Sequence, residues 1–343
     1  MLKNYVLQLT LVLLCNTING SQTMHKLFTI TKNTFTELLR QPVYAIIIVA
    51  ALLLFIVSPS LTMYSLDDDT KLLREIGLST LFLTSLFIAI FSASGAVAEE
   101  IENKTVTTVL SKPVQRPIFI FAKFLGVAGA VVLAHYICTI ALLMAIRHGV
   151  LESVTEEHDW TVISAAAVII SLALLLSAFL NYVYDWKFSS TAIVLTGIFA
   201  TFGIVFLCFI DQDWQFNPQN NGINALDIYG AILLLLAAII IVALAVAISS
   251  RFNIVVTLSA CVGIFLLGLV SDWTFGRFAQ TQLWAKICYF LVPNLQIFWI
   301  SDAIYEGSAV PLKYILISAS YAICYTAAIL LVAIALFQRR QVG

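Results

Sequence analysis

Three carboxylates lie within four residues of one another, at Glu99, Glu100 and Glu102. Paired carboxylates can act as general acid and base or as ligands of a metal ion. No histidine stands beside them at a metal-ligand spacing, so the sequence predicts neither a metal site nor a catalytic residue here. Acidic residues also favour the positively polarised first turn of a helix. We therefore interpret the cluster as the start of a helix with a polar face on which another protein can dock.

His135 is the histidine inside a long apolar run and is the other candidate for chemistry. It could relay protons or bind a ligand, or it could make a hydrogen bond between two helices, which is the interpretation we favour. The sequence contains no HExxH and no GxSxG motif, and it lacks the GxxxxGKS or GxxxxGKT motif of a P-loop. The chain is therefore not predicted to be an enzyme. Energy for uphill transport would have to come from another polypeptide.

The composition indicates which elements position these residues. Of all residues, 61% are hydrophobic and 11% are charged, against about 25% charged residues in soluble domains. A helix needs about 20 apolar residues to cross a bilayer. Apolar runs near that length occupy residues 43–59, 77–98, 119–146, 161–183, 190–210, 228–249, 253–271 and 313–337. The sequence thus predicts an all-α polytopic membrane protein with about eight transmembrane helices.

The N-terminal part divides at Met24. Residues 1–23 contain an apolar stretch too short to span a membrane, and we interpret them as an N-terminal extension or a mis-assigned start. A cleaved signal peptide is the alternative. Residues 25–41 carry apolar side chains on one helical face, which predicts an amphipathic helix at the membrane surface, or else a helical extension of the first span. Pro42 marks the break into that span, and residues 24–343 are predicted to form a single membrane domain.

Lysine and arginine are concentrated in alternate connecting segments, and acidic residues in the others. By the positive-inside rule, this distribution places both termini in the cytoplasm. A further apolar segment, residues 283–299, is interrupted by Lys286, Pro293 and Asn294. If it crossed the membrane, the basic C-terminus would lie outside. We therefore interpret it as a re-entrant or interfacial segment on the outer face, before the last span.

Charged side chains are rare within the predicted spans, which contain no Asp, Glu or Arg. Ion-coupled carriers usually have ionisable groups at membrane depth, so secondary transport is disfavoured. Lys123 lies near the start of its span, where we expect it to extend to the inner surface. With Arg116 it would contact lipid phosphates or reflect the positive-inside bias. The inner connections at 184–189 and 249–252 are short turns, which leaves residues 99–126 as the inner segment that can bind a partner.

The segment AEEIENKTVTTVLSKPVQRPIFIFAKFLG, residues 98–126, resembles the signature of ABC-2-type permeases, the membrane subunits of ATP-binding-cassette exporters. The matching positions are Glu99, Glu102, Thr105, Leu110, Ser111, Lys112, Pro113, Arg116, Lys123 and Gly126. The amphipathic helix, the segment around Pro293 and the short basic C-terminus are also similar to the family. Residues 24–126 and 283–340 thus carry the resemblance, and the middle of the chain does not. Lys104 departs from the usual glycine, and eight spans exceed the six of the common family core.

The resemblance implies an interfacial elbow helix before the first span and a cytoplasmic coupling helix between spans 2 and 3. The coupling helix would dock in a separate ATP-binding-cassette ATPase subunit, which binds the ATP, so the permease itself needs no cofactor. The docking residues would be Glu99, Glu100, Glu102, Lys104, Thr105, Thr108 and Leu110, with Lys112, Pro113, Arg116 and Lys123 as the flanking motif. A second permease subunit, identical or different, would complete the transporter.

The resulting hypothesis is an exporter permease of unidentified substrate in the inner (plasma) membrane of a prokaryotic cell, in contact with lipid and without nucleic acid. One alternative is a membrane scaffold or sensor whose Glu99 segment docks a soluble regulator without transport. Another is an integral membrane enzyme acting on lipid, with His135 or the outer Asp and Trp residues as its site.

Overall fold

The computed structural model describes residues 24–62, 69–100, 115–150, 158–218, 224–306 and 310–338. Within these ranges the chain forms helices and connecting turns but no β-strand. Its long apolar helices make it an all-α polytopic membrane protein, as the sequence predicted.

We number the α-helices in chain order. They are α1 (residues 24–40), α2 (Pro42–Thr62), α3 (Asp69–Ala93), α4 (Arg116–His148), α5 (Trp160–Tyr184), α6 (Phe188–Phe209), α7 (Ala225–Ser249), α8 (Ile254–Leu269), α9 (Leu283–Leu291), α10 (Ser301–Tyr305) and α11 (Leu312–Gln338). A π-helical turn, Ser94–Glu99, continues α3, and a second one, Asp272–Gly276, follows α8. A short 3-10 turn, Gln296–Phe298, precedes α10.

Seven of the described helices are long and apolar enough to cross a membrane, namely α2 to α7 and α11. Helix α8, predicted as a span over residues 253–271, has 16 residues. At 1.5 Å per residue it reaches about 24 Å, which is less than the ~30 Å core of a bilayer. It is shorter than predicted because the backbone bends at Val270 (φ −107, ψ 11). The first span, in contrast, is longer than predicted and covers Pro42–Leu61.

The segment before the last span is broken, as its sequence predicted. Helix α9 and residues Gln296–Ile304 are together apolar and long enough to span, but they bend by 45° at the break between them. They raise the count of candidate spans to eight if they cross as one element. The location of this segment on the outer face stays a prediction.

Tyrosine side chains of α11 bind the backbone of this break. Tyr325 Oη donates a hydrogen bond to Leu291 O (2.6 Å), and Asn294 N donates one to Tyr321 Oη (2.9 Å). A broken helix leaves backbone groups without their usual partners, which is costly inside a membrane. The tyrosine hydroxyls supply those partners and hold the broken segment against α11.

Helices α3, α4 and α7 form the centre of the bundle. In the most apolar 18-residue stretch of each of these three helices, 61% to 78% is buried within the chain. The corresponding share is only 22% to 28% in α2, α5, α6 and α11. Because every one of these helices is apolar, the exposed faces of the outer four can meet lipid or another subunit without cost. The central three therefore form the core of the bundle.

A buried ion pair joins the end of α4 to the start of α5. Arg147 Nε lies 3.2 Å from Asp159 Oδ2, with side chains only 3% and 4% exposed. The guanidinium also donates hydrogen bonds to Leu207 O in the last turn of α6 and to Ile210 O just after that helix. Asp159 caps α5 by accepting a hydrogen bond from Thr161 N. One arginine therefore fixes three helix ends at this side of the bundle.

Candidate functional site

Glu99 and Glu100 do not begin a helix but continue the one that contains α3, so that part of the sequence prediction is wrong. The π-helical turn Ser94–Glu99 continues α3, and Glu100 keeps helical backbone angles (φ −65, ψ −34). No proline or glycine stands between Gly95 and Glu100 to stop the helix. π-Helical turns are frequent at functional sites because they insert one residue and redirect the side chains that follow.

Lys123 forms an ion pair with Glu100. Its Nζ donates a hydrogen bond of 2.7 Å to Glu100 Oε1, and the two side chains are 4% and 23% exposed. The ammonium also lies 5.6 Å from the ring centroid of Phe119, within the range of a cation–π interaction. The expectation that Lys123 extends to the inner surface or to lipid phosphates is therefore wrong. A lysine two turns inside a buried helix needs a counter-charge, and the end of α3 provides it.

Helix α1 packs directly on α4 at the glycine of the signature. A Cβ atom added to Gly126 would lie 2.7 Å from Thr34 Cβ and 3.1 Å from Thr31 O, closer than atoms can approach without a shift. Thr31 Oγ1 donates a hydrogen bond to Ala122 O (3.3 Å), which spans the same contact. Gly126 thus allows the two helices to touch, and the predicted N-terminal helix is present and docked next to Lys123.

The junction of α1 and α2 contacts the π-helical turn. A Cβ on Gly95 would lie 2.9 Å from Gln41 Nε2, and Leu38 and Leu39, just before the junction, are buried. The end of α3, the start of α4 and the α1–α2 junction therefore meet at one place. We call this meeting point, defined by Glu100, Lys123 and Gly126, the base of the 101–114 segment.

Arg116 begins α4 and is bound to the end of α11. Its Nη1 donates a hydrogen bond to Gln338 O (2.8 Å), and Phe119 stacks on Phe337 at 5.6 Å between ring centroids. Cationic side chains favour the last carbonyls of a helix because these carry a partial negative charge. Arg116 therefore contacts protein through Nη1, and its role as a lipid anchor or as part of the positive-inside bias stays a prediction.

The remaining predicted docking residues lie outside the described part of the chain. They are Glu102, Lys104, Thr105, Thr108 and Leu110, and Lys112 and Pro113 of the flanking motif lie outside it as well. The coupling helix itself stays a prediction, and what the structure describes are the residues on either side of the 101–114 segment.

His135 makes the interhelical hydrogen bonds that the sequence predicted. Its Nδ1 is 2.8 Å from Ser85 Oγ in α3, and its Nε2 is 2.9 Å from Ala231 O in α7. Both ring nitrogens are used, and the side chain is 3% exposed. His135 therefore ties the three central helices together, and this arrangement gives no support to a role in catalysis.

A bundle of long apolar helices defines a multi-pass membrane protein. Residues 73–254 match the family described as ABC-2 family transporter protein, which is more than half of the 343 residues. The chain belongs to this family and is a membrane permease subunit of an ABC transporter. Membership implies association with an ATP-binding subunit. No curated protein and no solved structure matches the chain.

The matched range differs from the range that carried the sequence resemblance. It includes the base and the 101–114 segment, which the resemblance also covered. It further includes the middle of the chain from residue 127 through α7, which the resemblance did not cover. It does not include residues 283–340. The middle helices thus belong to the family's common part.

Proposed function

We propose that this chain is the transmembrane subunit of an exporter driven by ATP hydrolysis in a separate ATP-binding-cassette subunit, which docks on residues 99–110. The observation that carries this proposal is the buried ion pair of Lys123 with Glu100, at 2.7 Å. It attaches the beginning of the docking segment to the third turn of α4. The ATP is bound by the partner, and the permease contributes no cofactor.

The base and Arg116 support this role because they connect the segment to four helices. Glu100 continues α3, Lys123 belongs to α4, and Gly126 contacts α1. On the far side of the segment, Arg116 is bonded to Gln338 of α11. Helices move as rigid units, so a displacement of the segment would shift four helices together.

The rest of the proposed assembly follows from exposure and charge. The outer faces of α5 and α6 are apolar and little buried, which suits a second permease subunit as well as lipid. With the basic inner segments in the cytoplasm, both termini and the docking segment face the partner ATPase. We place the transporter in the inner (plasma) membrane of a prokaryotic cell.

The experiment is co-purification of the full chain with a P-loop ATPase from the same cell, sought first in the adjacent open reading frames, together with the ATP hydrolysis rate of the complex. Deletion of Thr105–Leu110 and the charge reversal Glu102→Arg are expected to abolish the complex. Lys187→Glu is the matched control, because it reverses an exposed charge at the short α5–α6 connection, which is predicted to lie on the same side. This control should leave the complex intact.

Two results would contradict the proposal. An intact complex after deletion of Thr105–Leu110 would show that the ATPase docks elsewhere. Co-purification of a regulator without nucleotide hydrolysis, in place of an ATPase, would favour the membrane scaffold instead.

A further inference from the structure

A cavity of about 570 Å³ lies between α2, α4, α5 and α6. This volume is within the range of about 300–1,000 Å³ that is typical of small-molecule sites. Its walls are almost entirely apolar and include Leu52 of α2, Ile137 and Met144 of α4, Ile169 of α5 and Ala200 of α6. An apolar wall of this extent fits a hydrocarbon group better than a polar solute.

The cavity is elongated along the helices. On α4 it extends from Ile137 to His148, the last residue of the helix. At 1.5 Å per residue this distance is about 16 Å, or about half of a ~30 Å bilayer core. Measured from the end of α4, the cavity is therefore about as long as the chains of one leaflet are deep.

Polar groups are gathered at the surface end of the cavity. His148 and His158 line it there, with ring centroids 5.6 Å apart, and Ser60 of α2 lines it as well. Trp160 packs edge-on against His158 and is exposed. Tryptophan side chains are enriched at the level of lipid headgroups. The two imidazoles are thus placed where a headgroup would lie when its chain is in the cavity.

The cavity also opens sideways toward the lipid. Ile56 of α2 and Ile163 and Ile170 of α5 line its wall, and they are 63%, 36% and 42% exposed, so the wall is not closed over at these residues. A molecule dissolved in the membrane can therefore enter between α2 and α5 without crossing a polar barrier. Lateral entry and a polar end fit an amphiphile with one apolar chain.

We propose that this cavity binds the hydrocarbon chain of an amphiphilic molecule, with its polar headgroup hydrogen-bonded at His148 and His158, and that such amphiphiles are the substrate class of the transporter. The second part rests on the proposed function, and the first part does not. The position of the cavity on α4 links it to the base, because Lys123 and His148 belong to the same helix.

Binding can be measured with the full chain in nanodiscs. The probe is a dodecylphosphocholine analogue with a photoreactive diazirine in its chain, and unlabelled dodecylphosphocholine is the competitor. We expect saturable labelling of residues 137–148 and 162–170, suppressed at least fivefold by the competitor. Ala141→Trp and Ala166→Trp, which fill the cavity from α4 and α5, should each abolish the saturable labelling. Leu175→Trp places the same side chain on the lipid-facing surface of α5, where the native residue is 69% exposed, and should label like the wild type.

The headgroup position is tested by His148→Ala and His158→Ala. Each removes a hydrogen-bonding group and should raise the competitor concentration needed for half-suppression about fivefold, as the loss of one hydrogen bond predicts. Labelling that the competitor cannot suppress would overturn the binding site. Saturable labelling that persists in both Ala141→Trp and Ala166→Trp would overturn it too, and elution as a single species verifies that these variants fold.

The substrate assignment has its own readout in the complex with the ATPase subunit. Dodecylphosphocholine should stimulate ATP hydrolysis at least twofold in the wild type and in Leu175→Trp, and fail to do so in the two cavity-filling variants. Binding without any stimulation would overturn the substrate assignment. Failure of the ATPase to join the complex would contradict the proposed function instead, and the binding result would stand apart from it.

Discussion

Lys123 and Glu100 close a loop, because their ion pair joins residues 23 positions apart that flank the 101–114 segment on its two sides. A partner that binds this segment therefore binds a loop whose two flanks are joined by an ion pair. Lys123 is almost fully buried, so its positive charge is stabilised only while the spacing of α3 and α4 keeps Glu100 within reach. The pair can thus transmit a displacement of the segment to both helices at once.

The first prediction is an asymmetry between the two single substitutions at this pair. Glu100→Gln leaves an ammonium group buried without its counter-charge and should lower the free energy of unfolding by about 3 kcal/mol. Lys123→Met removes the buried charge itself and leaves the carboxylate of a side chain that is 23% exposed, compared with 4% for Lys123. We expect it to cost about 1 kcal/mol, comparable to a lost hydrogen bond. Thermal unfolding of the purified protein in detergent measures both.

The double variant Glu100→Gln with Lys123→Met completes a double-mutant cycle, which measures the coupling energy of the pair. It should be more stable than Glu100→Gln alone, because no buried charge is left unpaired. Lys187→Met, at an exposed lysine before α6, should have no effect. If the loss of unfolding free energy in the double variant equals the sum of the two single losses, the ion pair contributes no coupling energy to stability.

The long helices could be predicted from the sequence because each apolar run is about as long as the bilayer core is thick. Pro42 begins α2 as predicted, and Pro293 and Asn294 lie in the break before α10. The period and the length of an apolar run are local properties of the sequence. They can therefore be read without knowing which other helices the run packs against. Helix ends were less well predicted, since α3 continues past Ala98 through a π-helical turn that no composition signal marks.

The partners of buried charges could not be predicted from the same patterns. Lys123 lies in the third turn of α4, which by itself signals a need for a counter-charge, but several acids compete for it in the sequence. Which of them reaches Lys123 depends on the angle at which α3 leaves the bundle. Arg147 presents the same problem, because its bond to Ile210 follows from the packing of α6 and not from chain proximity.

The second prediction concerns the contact of α1 with α4. Gly126→Ala should destabilise the protein by about 1–3 kcal/mol, because the added methyl group would lie 2.7 Å from Thr34 Cβ and must push α1 away. The shift would also weaken the complex with the ATPase subunit, since α1 adjoins the base. Thermal unfolding and co-purification measure the two effects.

Two further variants control this experiment. A Cβ on Gly263 of α8 would meet no atom within 4 Å, so Gly263→Ala should be neutral or stabilise the helix by up to about 1 kcal/mol. Thr34→Gly removes the clashing side chain and should restore part of the loss in Gly126→Ala. A neutral Gly126→Ala would show that α1 does not dock at this position.

The third prediction concerns the hydrogen bond between Asn294 N and Tyr321 Oη, which fixes the broken segment to α11 at 2.9 Å. Tyr321→Phe removes the acceptor, and the Asn294 amide must then open to water or stay unpaired at a cost of about 1–3 kcal/mol. Hydrogen–deuterium exchange of this amide should accelerate about fivefold or more. Tyr314→Phe is the matched control, because the Tyr314 hydroxyl donates to Ile297 O (2.6 Å) and its loss leaves no amide without an acceptor. Exchange at Asn294 that rises equally in both variants would mean that α11 merely covers the segment, whereas a rise confined to Tyr321→Phe would show that the hydroxyl holds the break in place.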